Sequence, residues 1–291
     1  MEETQNHHFL RPLHPPTTAY SDGYTTGTTP ESRNDFNNFS FRLVFIACIA
    51  LVSVWATYEA SKGFSITIIN EAAGDTFAGK RFHLFYVSND QAIRLILERS
   101  EFAENTLYPP SDHHPKKTIN HVTLRLSSRN LSRPATTVSG ERDSEFVIHL
   151  SPSIMHEKNF KHSMFLAVQR GMARIWLWDG QGNAPVTLIN GVVDYISSLA
   201  VNGGAPAAAA AGAELPEYSG SGCWKGTSDP RTVAGFLNYC EGKREGFVRR
   251  LNQEMKNNWH ENMVDDALGG MPAKTLCNSY HSSRRFSTSS I

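Results

Sequence analysis

Histidine and acidic residues occur together at few places in the sequence, and they are the side chains that zinc-dependent hydrolases use for metal binding and catalysis. His156-Glu157 and His162 come close to a zinc-binding helix motif, but four residues separate the glutamate from the second histidine. That spacing places the two histidines off a common helix face. His113 and His114, beside a proline, are typical of a solvated loop. Neither group predicts a metal site.

Two arginines four residues apart, Arg170 and Arg174, admit three interpretations. They form a solvated helix face, or one of them pairs with Asp194 and so links two helices. The third interpretation is a cleft that binds an anion or the end of a peptide without cutting it. A guanidinium stays protonated and has no lone pair, so neither arginine is a metal ligand.

The segments around these arginines resemble the plant basic secretory protein family, a set of zincin-like, peptidase-related domains. The family's pattern is His-Glu-x-x-His-x-Trp-x-Trp in the first segment and Ile-Glu-Gly-x-Ala-Asp-Tyr in the second. The resemblance covers roughly residues 64–285 and implies a zincin-like fold, a zinc ion and an association with secretion and plant defence. The residues that carry it are Trp176, Trp178, Gly182, Pro185, Gly191, Asp194, Tyr195, Tyr239 and Cys240.

The sequence departs from the family pattern at the positions that would bind and use the metal. Arg170 and Arg174 stand at the two histidine positions, and Gly171 stands at the glutamate between them. Asn190 replaces the glutamate of the second segment, so Asp194 alone survives among the candidate ligands. Without electron-pair donors and without a general base, the resemblance implies a relative with no catalytic residue, no zinc and no other cofactor.

Three functional hypotheses follow. The first is a membrane-anchored, catalytically inactive homologue that binds or regulates a protein or peptide partner. The alternative is an active metal-dependent peptidase in which Asp194 is joined by His149, His156 or His162. The third is a divergent copy with little function. With 28 basic and 28 acidic residues the chain has no net charge, which argues against nucleic acid as a partner.

The secondary-structure elements that position these residues come in a simple order along the chain, with strands first and helices later. This order predicts an α+β domain. The resemblance refines this to a zincin-like domain with a small N-terminal β-sheet and a mostly helical C-terminal half. Alternating apolar residues predict strands at 64–69, 121–126 and 146–150, with a polar loop at 127–144. Trp176 and Trp178 are predicted core residues. Helical spacing predicts helices at 90–104, 163–178, 188–199, 230–240 and 246–256.

Residues 1–41 have no periodicity and few aliphatic side chains, which predicts a disordered tail. Residues 42–60 contain a long uncharged apolar run and are interpreted as a transmembrane signal anchor. A cleaved signal peptide and a buried core helix remain alternatives for this segment. The domain at 64–285 follows, with a flexible loop at 203–212, and the last residues, 286–291, are predicted to be frayed.

A signal anchor predicts a single-pass type II protein whose domain lies in the secretory lumen or outside the cell, with secretion as the alternative. Asn130-Leu-Ser132 is then a usable N-glycosylation site. Three cysteines face the same oxidising compartment, and Cys223–Cys240 is the preferred disulfide, which leaves Cys277 unpaired.

Overall fold

A computed structural model describes residues 42–53, 63–72, 74–110, 115–140, 142–203, 223–225 and 229–288. The chain divides into two compact units, Met1–Ala60 and Ser61–Ile291. The tail predicted at 1–41 and most of the loop predicted at 203–212 lie outside the described residues.

In the first unit, residues 42–53 form a helix, α1, whose side chains are exposed. The remainder of the predicted membrane segment, residues 54–60, lies outside the described residues. No helix within the described part of the chain combines the length and the apolar character that crossing a membrane requires.

The second unit begins with a four-stranded sheet made of β1 (Ser65–Asn70), β2 (His121–Leu126), β3 (Ala135–Ser139) and β4 (Glu145–Leu150). The spatial order is β1-β2-β4-β3, in which β1, β2 and β4 are parallel and β3 runs antiparallel to β4. Three of the strands lie where the sequence predicts them. β3 is a correction, because it lies inside the segment predicted to be a polar loop.

Helices make up most of the rest of this unit, so the predicted α+β class is confirmed. A π-helical turn, His83–Val87, follows the first of them, and a 3-10 helix, Pro152–His156, lies between β4 and α4. The last helix continues to Thr288, so the end predicted to be frayed is helical as far as that residue. The helices are α2 (Phe77–Phe82), α3 (Gln91–Leu107), α4 (Phe160–Trp176), α5 (Val186–Val201), α6 (Pro230–Lys243), α7 (Phe247–Glu254), α8 (Met263–Ala267) and α9 (Ala273–Thr288).

Helix α4 occupies the centre of the unit, where it contacts β3, β4, α3 and α5, while α5 packs against α6. Met164, Val168 and Met172 recur every four residues along α4 and are fully buried, which explains why this segment is an amphipathic helix. Trp176 belongs to the core, as predicted, and its indole donates a hydrogen bond to Ser100 Oγ at 2.9 Å. This packing fixes the faces that α4 and α5 present to each other.

Candidate functional site

A cleft of about 420 Å³ lies between β3, α4, α5 and the beginning of α6. All five positions that the sequence singled out line it: Arg170, Gly171 and Arg174 from α4, and Asn190 and Asp194 from α5. Because α4 packs directly against α5, two segments about twenty residues apart in the chain face one cavity.

The ion pair with Asp194, which the sequence left open between the two arginines, is made by Arg170. Its Nε donates to Asp194 Oδ1 at 3.1 Å and so connects α4 to α5. The two side chains are 41% and 20% exposed, so water and salt screen the pair.

Arg174 lies one turn further along α4 and has a different partner. Its Nη2 lies 3.6 Å from Asp179 Oδ2, while its buried Nη1 has no hydrogen-bond partner among the described residues. Burial lowers the pKa of this guanidinium, and the Asp179 carboxylate opposes the shift. Arginine remains a cation at neutral pH even so. The side chain as a whole is 36% exposed, so Arg174 lines the cleft while its unpaired Nη1 stays buried.

Three further charged residues line the cleft, and sequence reasoning did not assign them to a site: Arg133, Asp229 and Arg231. Asp229 also holds the N-cap position of α6, directly before Pro230. Arg133 comes to the cleft beside β3, a strand that the sequence did not predict. The cleft thus carries four guanidinium groups against two carboxylates, a surplus of positive charge.

The side chains present do not fit a zinc ion. Zinc in proteins takes thiolate, imidazole or carboxylate ligands, usually three or four of them. Among the described residues that line the cleft there is no imidazole or thiol, and the Asp194 carboxylate is already paired with a guanidinium. The histidines of the alternative ligand set do not line the cleft: His149, His156 and His162.

Gly171 permits α4 to approach β4 closely. A Cβ atom added at this position would lie 2.6 Å from Ile148 Cδ1 and 3.0 Å from its Cγ2. A glutamate, the family's residue at this position, would meet the same obstacle. The glycine at 171 therefore has a packing role between α4 and β4.

The cleft also borders the edge strand β3. β3 is the last strand in the sheet order, so among the described strands only β4 pairs with it. Ala135, Thr136 and Thr137 of this strand line the cleft. An edge strand with an uncovered side accepts a further extended segment by main-chain hydrogen bonding.

The predicted disulfide is wrong. Cys223 is bonded to Cys277, with 5.7 Å between the Cα atoms, and Cys240 is a buried free thiol. Cys240 lies on the buried face of α6, and burial raises its pKa to about 12. Cys277 lies on α9, a helix that the sequence did not predict. Asn130 is exposed between β2 and β3, and its glycosylation stays a prediction.

Comparison with known proteins gives one finding. A family model described as BSP, peptidase of plants and bacteria, matches residues 61–280, which is well over half of the chain. The matched range includes the whole sheet and all of the cleft residues. Searches of the curated proteins and of the solved structures found no match.

Proposed function

The chain belongs to the BSP family, peptidases of plants and bacteria, and from that premise we propose that its domain binds the carboxylate end of a peptide without cleaving it. The observation that carries this proposal is the surplus of guanidinium groups in the cleft, two of which, those of Arg170 and Arg174, stand where the family pattern has histidine ligands. A guanidinium matches a carboxylate with two parallel hydrogen bonds, which gives both attraction and orientation.

The edge of β3 supports the same proposal. A peptide that adds to this edge receives main-chain hydrogen bonds, and its side chains alternate toward and away from the cleft. Thr136 is exposed and Thr137 half-buried, so the strand presents small polar side chains to an added peptide. Main-chain pairing then supplies affinity, and the arginines select a carboxylate.

The absence of hydrolysis is part of the proposal. The fold is taken to be zincin-like, with α4 and α5 in place of the two metal-binding helices. Metal-assisted peptide hydrolysis requires a Lewis acid and a base that activates water. Arg170 and Arg174 cannot hold the metal, and Gly171 has no side chain to act as the base.

The binding proposal is tested with fluorescent octapeptides that carry either a free or an amidated C-terminus. We expect the free acids to bind at least about tenfold more tightly, and Arg174→Gln to remove that preference. Arg142→Gln is the matched control, because Arg142 is 85% exposed and does not line the cleft. Equal affinity for acid and amide, or equal effects of the two substitutions, would contradict the proposal.

The same peptides test for hydrolysis in the presence of zinc, with the disulfide kept intact. We expect no cleavage products by mass spectrometry. Turnover that a chelator abolishes would overturn the proposal and favour the active peptidase with an unusual ligand set.

For location, we propose a single-pass type II anchor at residues 42–60 with the domain in the secretory lumen. The uncharged run in the sequence, the exposed Asn130 and a disulfide, which is typical of oxidising compartments, support it.

Glycosylation and membrane extraction test this location. Treatment with a glycosidase should increase the electrophoretic mobility of the wild type but not that of Asn130→Gln. A mobility shift that persists in Asn130→Gln would contradict glycosylation of Asn130. Release by alkaline carbonate would contradict the anchor.

A further inference from the structure

We propose that Cys223, Cys277 and His281 form a redox-gated zinc site. In the oxidised protein the two cysteines are a disulfide, and after reduction both thiolates and the imidazole bind one zinc ion. None of the three residues lines the cleft, so this proposal does not depend on peptide binding.

The three side chains are already close together. His281 Nε2 lies 3.3 Å from Cys223 Sγ, and all three ligand atoms lie within 4.8 Å of one another. Tetrahedral zinc with bonds of about 2.0–2.3 Å holds its ligands about 3.3–3.8 Å apart. In the described part of the chain, this is the one group of three cysteine, histidine or acidic residues close enough to share a metal.

The backbone positions two of the ligands on one helix face. Cys277 and His281 are four residues apart on α9, so they lie one above the other on the same face. Both atoms therefore approach a metal from one side, in the way that paired ligands on a helix do.

The third ligand, Cys223, comes from the short described segment at 223–225, which is anchored by its neighbour. The Trp224 carbonyl accepts a hydrogen bond from Thr187 Oγ1 at 2.9 Å. The Trp224 ring stacks on Phe236 of α6, with 5.6 Å between ring centroids. These contacts hold the segment against α5 and α6 independently of the disulfide. Cys223 therefore stays near α9 after reduction.

Burial favours a metal over two free thiols. Cys223 is 3% exposed and Cys277 is fully buried, while His281 is half-buried and gives access from the surface. Three protein ligands leave a fourth position for water. Two thiolates balance the charge of Zn²⁺, so the site as a whole is neutral.

The redox step balances with a protein dithiol of the thioredoxin class as reductant. The dithiol gives two electrons and two protons to the disulfide, which becomes two thiols while the reductant becomes a disulfide. Zinc then displaces both thiol protons to water, and His281 binds through the lone pair of Nε2 as a neutral ring. In the reverse direction a protein disulfide of the same class takes two electrons from the thiolates of Cys223 and Cys277 and two protons from water. It becomes a dithiol while the two cysteines become a disulfide again, and the zinc ion leaves.

The test uses the full-length protein, either oxidised or reduced with a phosphine that is then removed without oxygen. After incubation with zinc and gel filtration, we expect roughly one zinc per reduced chain and none on the oxidised chain. Cobalt should give the intense visible bands of a tetrahedral site and a near-ultraviolet sulfur-to-metal band. Zinc should also protect Cys223 and Cys277 from alkylation.

Variants assign the ligands. His281→Ala should weaken zinc binding by at least about tenfold, and Cys223→Ser should abolish it. His260→Ala and Cys240→Ala are matched controls that should keep it, because neither residue belongs to the group. A reduced protein that keeps its circular dichroism yet binds no zinc would overturn the proposal. An unfolded reduced protein that zinc does not refold, or binding that survives His281→Ala unchanged, would overturn it equally.

Discussion

At the residue scale, the ion pair between Arg170 and Asp194 is the charged contact that joins α4 to α5. Because both side chains are partly exposed, the pair contributes about 0.5–1 kcal/mol. In a domain of this size, about 1 kcal/mol corresponds to about 2–4 °C. We therefore expect Asp194→Asn to lower the melting temperature by about 1–4 °C, measured by calorimetry.

A double-mutant cycle tests whether this loss comes from the pair itself. Asp194→Asn and Arg170→Gln should be non-additive by about 0.5 kcal/mol or more, because they remove the same contact. Asp194→Asn and Arg174→Gln should be additive, since Arg174 pairs with Asp179 instead. Equal coupling of Asp194 to both arginines would contradict the observed partners.

Lys117 is a second charged residue with an unusual environment. Its Nζ donates to the Leu177 carbonyl at 2.9 Å and lies 5.4 Å from the centre of the Trp178 ring. Burial lowers the pKa of this amine to about 8, with Asp179 opposing the shift and Arg174 adding to it. The folded state therefore gives up this proton more readily than the unfolded state does.

The sign of the resulting pH effect follows from the two protonation states. Below pH 8 the amine is charged in both states, and folding carries the full cost of desolvating it. Between pH 8 and 10.5 the folded state loses the proton first, so the unfolding free energy rises with pH. By urea denaturation, we expect the wild type to gain stability relative to Lys117→Met from about pH 7.5 to about pH 9.5.

The matched control for this pH effect is Lys116→Met, which removes the neighbouring ammonium, a group that is 46% exposed. For each variant, the difference in unfolding free energy from the wild type is plotted against pH. If the Lys117→Met and Lys116→Met curves have the same shape, the pH effect does not come from Lys117. Comparing each variant with the wild type at the same pH cancels the contributions of other groups, such as the buried Cys240 thiol.

At the element scale, the close approach of α4 to β4 makes Gly171 a packing residue. Alanine in place of glycine favours a helix by about 1 kcal/mol, but overpacking a core costs about 1–3 kcal/mol. Because the new Cβ would lie 2.6 Å from Ile148 Cδ1, we expect Gly171→Ala to reduce the unfolding free energy by up to about 2 kcal/mol. Urea denaturation measures this change.

Gly242 in α6 is the control, since a Cβ added there has no atom within 4 Å. Gly242→Ala should stabilise the protein by about 0.4–1 kcal/mol. Ile148→Val removes Cδ1 and should make Gly171→Ala less harmful. Equal stabilisation by both alanines would contradict the close packing. The same packing means that rebuilding the zinc motif with a glutamate at 171 also requires a smaller residue at 148.

Apolar periodicity predicts an element when one of its faces is buried, which is why β1, β2, β4, α4 and α6 could be located from the sequence. β3 could not be, because a half-exposed edge strand rich in threonine lacks that alternation. The five cleft positions came from the family resemblance. Arg133 and Arg231 reach the same cleft through tertiary packing, which cannot be predicted from spacing in the sequence. The Cys223–Cys277 bond depends on tertiary packing in the same way.

At the scale of the whole molecule, that disulfide connects the described segment at 223–225 to α9 across 54 residues. Closing a loop of this length restricts the unfolded chain and stabilises the folded state by about 2–4 kcal/mol. We therefore expect reduction to lower the melting temperature of the folded domain by about 4–16 °C. Cys277→Ser should lower it by a similar amount even without reductant.

The effect of zinc on the reduced protein distinguishes a purely structural disulfide from one whose two cysteines bind zinc after reduction. A ligand that binds only the folded state at about one hundred times its Kd adds about 2.7 kcal/mol, which is close to what reduction removes. Zinc should therefore restore most of the melting temperature of the reduced wild type and none of that of Cys277→Ser. A melting temperature that does not change on reduction would contradict the Cys223–Cys277 disulfide itself. If reduction lowers the temperature and zinc has no effect, the link is structural and the metal site is wrong.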